Sequence, residues 1–168
     1  EPKTGKVLSI IGGKDYTKST YNRAINSNRQ PGSTIKPFLY LSALENGFTL
    51  ATTFKSEKTV FYINKKPYSP NNYKDIYANQ DISMLYALAV SDNIYAVKTH
   101  LFLGMSNLVN ILNRFGFKKD FPSIPSLALG SCEVSVKELA EAYQILANEG
   151  IKSKPVFITK ITDMEDNI

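Results

Sequence analysis

Arg29-Gln30-Pro31-Gly32-Ser33-Thr34-Ile35-Lys36-Pro37-Phe38 couples a Pro-Gly turn to the start of an apolar, periodic segment. From Ser33 onward, Ile35, Phe38, Leu39, Leu41 and Leu44 recur at a spacing that predicts a helix with one buried face. Ser33 stands at its N-cap or as its first residue. Pro37 is tolerated because a first-turn N–H has no intrahelical partner to lose. Gly47, after Asn46, is a C-terminal stop. Ser33 and Lys36 then share a face of the helix, so the lysine amine can lie beside the serine hydroxyl.

Upstream, residues 7–11 (Val-Leu-Ser-Ile-Ile) read as a buried strand stopped by Gly12-Gly13, and residues 21–24 as a second short strand. Downstream, residues 52–81 are polar and rich in Tyr, Asn, Lys and Pro. They predict extended surface connections with one hairpin around residues 60–65. Ser83 caps a helix over Leu85, Leu88 and Ala89, which Ser91-Asp92-Asn93 interrupts. A further helix runs through Ile94, Val97, Leu101 and Phe102 to Gly104, and another from about Ser106 to Phe115. Residues 122–125 form a loop. Ser135 with Glu138 has the capping-box pattern and opens a helix through Leu139, Ala142, Tyr143, Leu146 and Ala147. Residues 156–161 alternate weakly, as a returning strand does. Strands, then helices, then a strand predict an α+β domain with a helical subdomain.

The 168 residues, 43% hydrophobic and 21% charged, describe one globular domain able to bury a core without disulfides. A lone cysteine, Cys132, excludes an intrachain disulfide and a Cys-rich zinc site. A lone histidine, His100, lies in an apolar helical stretch, reads as structural and argues against a His-based triad. No metal or cofactor is expected. The net charge of +5 is spread along the chain with no basic stripe interleaved with aromatics, so nucleic acid is not an expected partner. No apolar run approaches the roughly 20 residues of a membrane span. The chain opens on Glu1 without a signal peptide and reads as a piece of a longer protein.

The chemistry concentrates in two short motifs. A serine nucleophile requires a base, and Lys36 can serve once burial or nearby charge lowers its pKa. The N-terminus of the helix adds a positive field and free N–H groups where an oxyanion forms beside Ser33. Taken singly, this pattern also fits a capped helix with a solvated lysine. Ser91-Asp92-Asn93 likewise fits an ordinary turn. Its functional reading is a loop that points a hydroxyl and an amide into a cleft, where Ser91 relays a proton and Asn93 holds Lys36 and a substrate amide.

Ser33-Thr34-Ile35-Lys36 together with Ser91-Asp92-Asn93 is the S-x-x-K and S-D-N pairing of penicillin-binding proteins and class A β-lactamases. The flanking blocks sharpen this: Thr4-Gly5-Lys6-Val7-Leu8 with Gly12-Gly13, Asn22-Arg23-Ala24, Pro70-Asn71-Asn72-Tyr73, Ala87-Leu88-Ala89-Val90, and Ser126-Leu127-Ala128-Leu129-Gly130-Ser131. In order and spacing, over nearly the whole chain, they resemble the transpeptidase domain of class A, bifunctional penicillin-binding proteins. The resemblance implies a β-lactamase/transpeptidase-like fold, here a helical subdomain with an incomplete antiparallel sheet. It implies peptidoglycan D,D-transpeptidation with Ser33 as nucleophile, Lys36 as base, Ser91 as proton relay and Asn93 for positioning. The implied partners are a stem peptide ending in D-Ala-D-Ala, and β-lactams that mimic it. The parent protein would be membrane-anchored, carry an upstream glycosyltransferase domain and work on the extracytoplasmic face of the bacterial plasma membrane.

One family motif, Lys-Thr/Ser-Gly on a strand after the other blocks, has no counterpart in its expected place. Lys3-Thr4-Gly5 has the letters but precedes the serine block, and is taken as coincidence. Residues 1–168 are therefore expected to be the N-terminal part of the domain, with an unpaired edge at residues 7–11 and an uncovered apolar helix face, and to acylate poorly alone. A β-lactamase, a D,D-carboxypeptidase, a β-lactam sensor domain and a non-catalytic domain of the same fold remain alternatives. Acyl-enzyme lifetime separates the first of these from a transpeptidase.

Overall fold

The serine block does form a helix start, but in two pieces. A 3-10 turn over Gly32–Ile35 passes directly into an α-helix over Lys36–Glu45, so Ile35, not Ser33, is the N-cap residue. The computed structural model describes residues 1–165. In chain order its elements are α1 (Arg23–Asn26), β1 (Asn28–Arg29), α2 (Lys36–Glu45), β2 (Thr53–Lys55), β3 (Phe61–Ile63), β4 (Lys66–Tyr68) and β5 (Asp81–Ser83). There follow α3 (Met84–Ala89), α4 (Asn93–Leu103), α5 (Ser106–Arg114), β6 (Val134–Ser135) and α6 (Val136–Ala147). They group into two compact units, one of residues 30–114 with 118–133, the other of residues 1–29, 115–117 and 134–165.

The larger unit is helical, with paired strands at its margin. Its α4 is buried nearly all round, through Ile94, Tyr95, Ala96, Val97, Thr99 and His100, as a central helix must be. Against it pack Phe38, Leu39 and Ala43 of α2, Leu108, Ile111 and Leu112 of α5, and Leu127 and Ala128 of a 3-10 turn over Pro125–Leu129. Each fully buried Leu, Ile or Phe contributes about 1.5–3 kcal/mol. β2 pairs antiparallel with β5, and β3 with β4 as the expected hairpin. Its two-residue turn uses Asn64 and Lys65 at φ 50° and 64°, the positive values that such a turn demands. Ser83 caps α3 by accepting from the Tyr86 N–H. His100 is buried with Nε2 3.1 Å from the Ile124 carbonyl oxygen, and burial lowers its pKa. Cys132 is buried too, and burial pushes its thiol up, away from the reactive thiolate.

In the smaller unit β1 pairs antiparallel with β6, and α6 starts on the expected capping box. The Ser135 hydroxyl accepts from Glu138 N–H at 3.1 Å, and the Glu138 carboxylate accepts from Ser135 N–H at 2.8 Å. Three strand expectations fail here. Among the described residues, 7–11 and 156–161 form no ladder; a parallel bridge joins Lys6 to Val156. Residues 21–24 are not a strand either. The Asn22 side chain accepts from Ala24 N–H and caps α1, a local bond that competes with extended pairing. Leu8 and Ile11 are 78% and 79% exposed, and Leu8, Ile10, Val136 and Ala140 line an apolar groove of about 370 Å³. Lys3-Thr4-Gly5 belongs to a turn closed by Gly5 N–H to Glu1 carbonyl, not to a strand.

The α+β expectation is thus met by helices with small antiparallel strand pairs. Among the described residues no helix is long and apolar enough to cross a membrane.

Candidate active site

Lys36 is the first residue of α2, and its side chain is 1% exposed. A buried ammonium must have its three N–H donors satisfied. Lys36 Nζ meets that demand with the Ser91 carbonyl oxygen at 2.7 Å, the Ser91 hydroxyl at 3.0 Å and Asn93 Oδ1 at 2.7 Å. Burial lowers its pKa from 10.5 to about 8, with the Asp92 carboxylate opposing.

Ser91 sits where a helix-ending glycine ordinarily does. Val90 is the C-cap of α3, and Ser91 follows at φ 58°. Asp92 N–H donates to the Ala87 carbonyl at 2.9 Å and Ser91 N–H to Leu88 at 3.2 Å, the two bonds of a Schellman ending. A left-handed serine costs roughly 1–2 kcal/mol relative to an ordinary conformation. The conformation turns both the carbonyl and the hydroxyl of Ser91 onto Lys36. Asp92 then caps α4 by accepting from Tyr95 N–H at 2.7 Å, which makes Asn93 the first residue of that helix.

Lys36, Ser91 and Asn93 are therefore brought together by hydrogen bonds. Ser33 stands one turn before Lys36, and its carbonyl accepts the Lys36 backbone N–H. Its side chain is exposed and makes no hydrogen bond among the described residues. Lys36 makes no hydrogen bond to the Ser33 hydroxyl among the described residues; its three donors go to Ser91 and Asn93. Behind the serine turn, Gly130 at φ 72° packs on Gly32. A Cβ on Gly130 would lie 2.2 Å from the Gly32 carbonyl oxygen, so only glycine fits.

Sequence reasoning missed the support beneath these residues. Asp92 is 5% exposed, and its Oδ2 accepts from the Ser56 hydroxyl and from Asn72 Nδ2 at 2.7 Å. Ser56 is wholly buried. The Asn71 carbonyl accepts from Asn93 Nδ2 at 2.7 Å. The only sequence signal was that Asn71 and Asn72 lie in a block carrying the family resemblance.

Residues 1–167 match the penicillin binding protein transpeptidase domain. The chain belongs to that family. Penicillin-binding protein 2D of Bacillus subtilis is 50% identical over the whole chain, and penicillin-binding protein 1A of Pseudomonas aeruginosa 36%. The chain spans 25% and 21% of the length of these two relatives. The crystal structure of penicillin-binding protein 1A from Haemophilus influenzae superposes with a TM-score of 0.87 at 35% identity, over 93% of this chain and 23% of that one. Penicillin-binding protein A from Mycobacterium tuberculosis, solved as an imipenem acyl-enzyme, has the same fold at a TM-score of 0.80 and 19% identity, over 93% of this chain and 41% of that one. The β-lactamase/transpeptidase-like fold expected from the motifs is that of these penicillin-binding transpeptidase domains.

Proposed function

We propose that the chain carries the acylation centre of a peptidoglycan D,D-transpeptidase. The observation that carries this reading is the Lys36 amine, buried and gripped by Ser91 and Asn93 one helical turn from an exposed Ser33, in a chain of the penicillin-binding transpeptidase family.

The chemistry follows from the donor count. As an ammonium, Lys36 uses three acceptors. As a neutral amine it keeps two N–H groups for the fixed oxygens, Ser91 O and Asn93 Oδ1. Its lone pair then faces the hydroxyl side of the site, able to take a proton. A pKa near 8 leaves a useful neutral fraction at physiological pH.

Ser33 Oγ attacks the carbonyl carbon of the penultimate D-Ala as its proton passes to Lys36. The tetrahedral intermediate collapses to a Ser33 ester, and the terminal D-Ala leaves as an amine protonated through Ser91. An amine of a neighbouring stem then attacks the ester, forms the cross-linking peptide bond and returns the proton to Ser33. Asn93 Oδ1 holds Lys36, and its amide face orients the stem peptide. A β-lactam follows the first half alone and leaves Ser33 acylated.

In this reading residues 1–168 are the N-terminal, nucleophile-bearing part of the transpeptidase domain. The whole protein is of the class A, membrane-anchored kind with a glycosyltransferase domain, acting outside the cytoplasm. Labelling the full-length protein with a fluorescent penicillin tests the reading. Stable labelling that Ser33→Ala abolishes supports it. Rapid release of the label points to a β-lactamase, and no labelling of a folded protein points to a non-catalytic domain.

A further inference from the structure

The start of α4 is held by a side chain from a distant loop. Asn72 lies 21 positions before Asn93 and is 9% exposed. Its Oδ1 accepts from Asn93 N–H at 2.7 Å and from Ile94 N–H at 3.3 Å, two donors that the first turn of a helix leaves without intrahelical partners. Its Nδ2 donates to Asp92 Oδ2 at 2.7 Å and to the Ile76 carbonyl at 3.1 Å. Both faces of the amide are thus fully engaged, and it cannot turn over without losing every bond.

The neighbouring residue fixes Asn93. With Asn93 Nδ2 tied to the Asn71 carbonyl, Oδ1 is left facing Lys36. A flipped amide would set an NH2 group against an ammonium and an oxygen against a carbonyl. The loop that supplies these contacts is itself tightly wound. Lys74 and Asp75 hold consecutive left-handed conformations at φ 55° and 57°, unusual for residues other than glycine. The turn is closed by Asp75 N–H to the Asn72 carbonyl at 3.0 Å and by Asn72 Nδ2 to Ile76. Backbone strain of this kind persists where the surroundings over-determine it.

We propose that Asn72 is a positioning residue for the acyl-transfer reaction: its amide locks the N-terminus of α4 so that Asn93 and the Ser91 carbonyl meet the Lys36 amine in one fixed arrangement. The proposal rests on the acyl-transfer reading above and adds to it a residue outside the catalytic motifs.

The test compares full-length wild type with Asn72→Ala by two readouts. In time courses of fluorescent-penicillin labelling, Asn72→Ala is expected to reach the wild-type stoichiometry with a rate constant roughly 10- to 100-fold lower, the scale of a small misplacement of reacting groups. The Lys36 titration, followed by heteronuclear NMR, is expected to move to lower pH as the Asn93 acceptor loosens. A merely structural role would lower the labelled fraction while the labelled molecules react at the wild-type rate. That result, with an unmoved Lys36 titration, overturns the proposal. If Asn72→Ala does not accumulate, Asn72→Ser keeps a hydroxyl donor for Asp92, cannot reach both helix N–H groups, and is read in the same way. A wild-type protein that fails to label while its Lys36 titration still responds to position 72 would remove the acyl-transfer reading and leave the clamp.

Discussion

The ammonium of Lys36 lies 2.7 Å from the carbonyl oxygen of Ser91, a residue 55 positions further along the chain. That contact joins the first turn of α2 to the residue just past the C-cap of α3. It exists because Ser91 adopts φ 58° at the end of its helix. The buried Lys36 amine is thereby held by a backbone atom, which mutation of a side chain cannot remove.

Stability and acylation should separate at Ser91. Ser91→Gly relieves a left-handed conformation worth about 1 kcal/mol and loses one hydrogen bond of similar size, so its melting point should stay near wild type. Ser91→Ala keeps the strain and loses the same bond, so it should be the less stable of the two. Both should label with penicillin far more slowly than wild type. Thermal melts run beside labelling rates check the ordering.

The rate of acylation should rise with pH and level off above about 8, where Lys36 becomes neutral. Lys36→Arg replaces the base with a group that stays protonated, and should lose on the order of 100- to 10,000-fold at every pH. The same group shapes stability. Its folded pKa is depressed below 10.5, so the folded state carries a penalised charge below about 8. From about 8 to 10.5 the unfolded chain holds a proton that the folded one has released, so the Lys36 contribution becomes more favourable as pH rises. Urea midpoints of wild type and Lys36→Met across this range isolate that contribution.

Asp92→Asn should both destabilise and shift the profile. The new amide would point donors at the Ser56 hydroxyl and Asn72 Nδ2, both of which now donate to Asp92. Unsatisfied buried groups of this kind cost about 1–3 kcal/mol each. Removing the charge also removes the influence that holds the Lys36 pKa up, so the acid limb of acylation should move to lower pH. Denaturant melts and labelling rates against pH read the two effects.

Gly130→Ala should disturb the serine without touching the motifs. Its Cβ would fall 2.5 Å from the Gly32 nitrogen, and its φ of 72° is unfavourable for any residue with a Cβ. Because Gly32 opens the turn that presents Ser33, a loss of about 1–3 kcal/mol should come with slower labelling. A melting point unchanged from wild type would contradict this placement.

Much of the fold was legible because its signals are local. Ser83, Ser135 with Glu138, Gly47 and Gly104 each mark a helix boundary through bonds within a few residues, and the helices end where they do. Residues 7–11 misled because an apolar run predicts burial but names no partner; among the described residues the neighbouring backbone forms a bridge at Lys6 and no ladder. Residues 21–24 misled because the Asn22 side chain caps α1 locally instead of leaving the backbone extended. Lys36, Ser91 and Asn93 were found as motifs, yet the reason they meet was not visible. Ser56, Asn71 and Asn72 act through contacts spanning 16 to 36 positions, and no periodicity carries such information. The Ser91-Asp92-Asn93 motif reading has Asn93 hold Lys36, whereas the Ser91 carbonyl as a further acceptor carries no sequence signal. A helix places Ser33 and Lys36 on one face, but burial sends the amine to whichever oxygens can satisfy it.

Intact-protein mass spectrometry after exposure to a penicillin, followed by peptide mapping, decides whether this is an acylation centre. The full-length protein should gain the mass of one intact penicillin, long-lived and confined to the peptide containing Ser33, and Ser33→Ala should gain none. An adduct on another residue, or one that persists in Ser33→Ala, would contradict the assignment of Ser33 as the nucleophile.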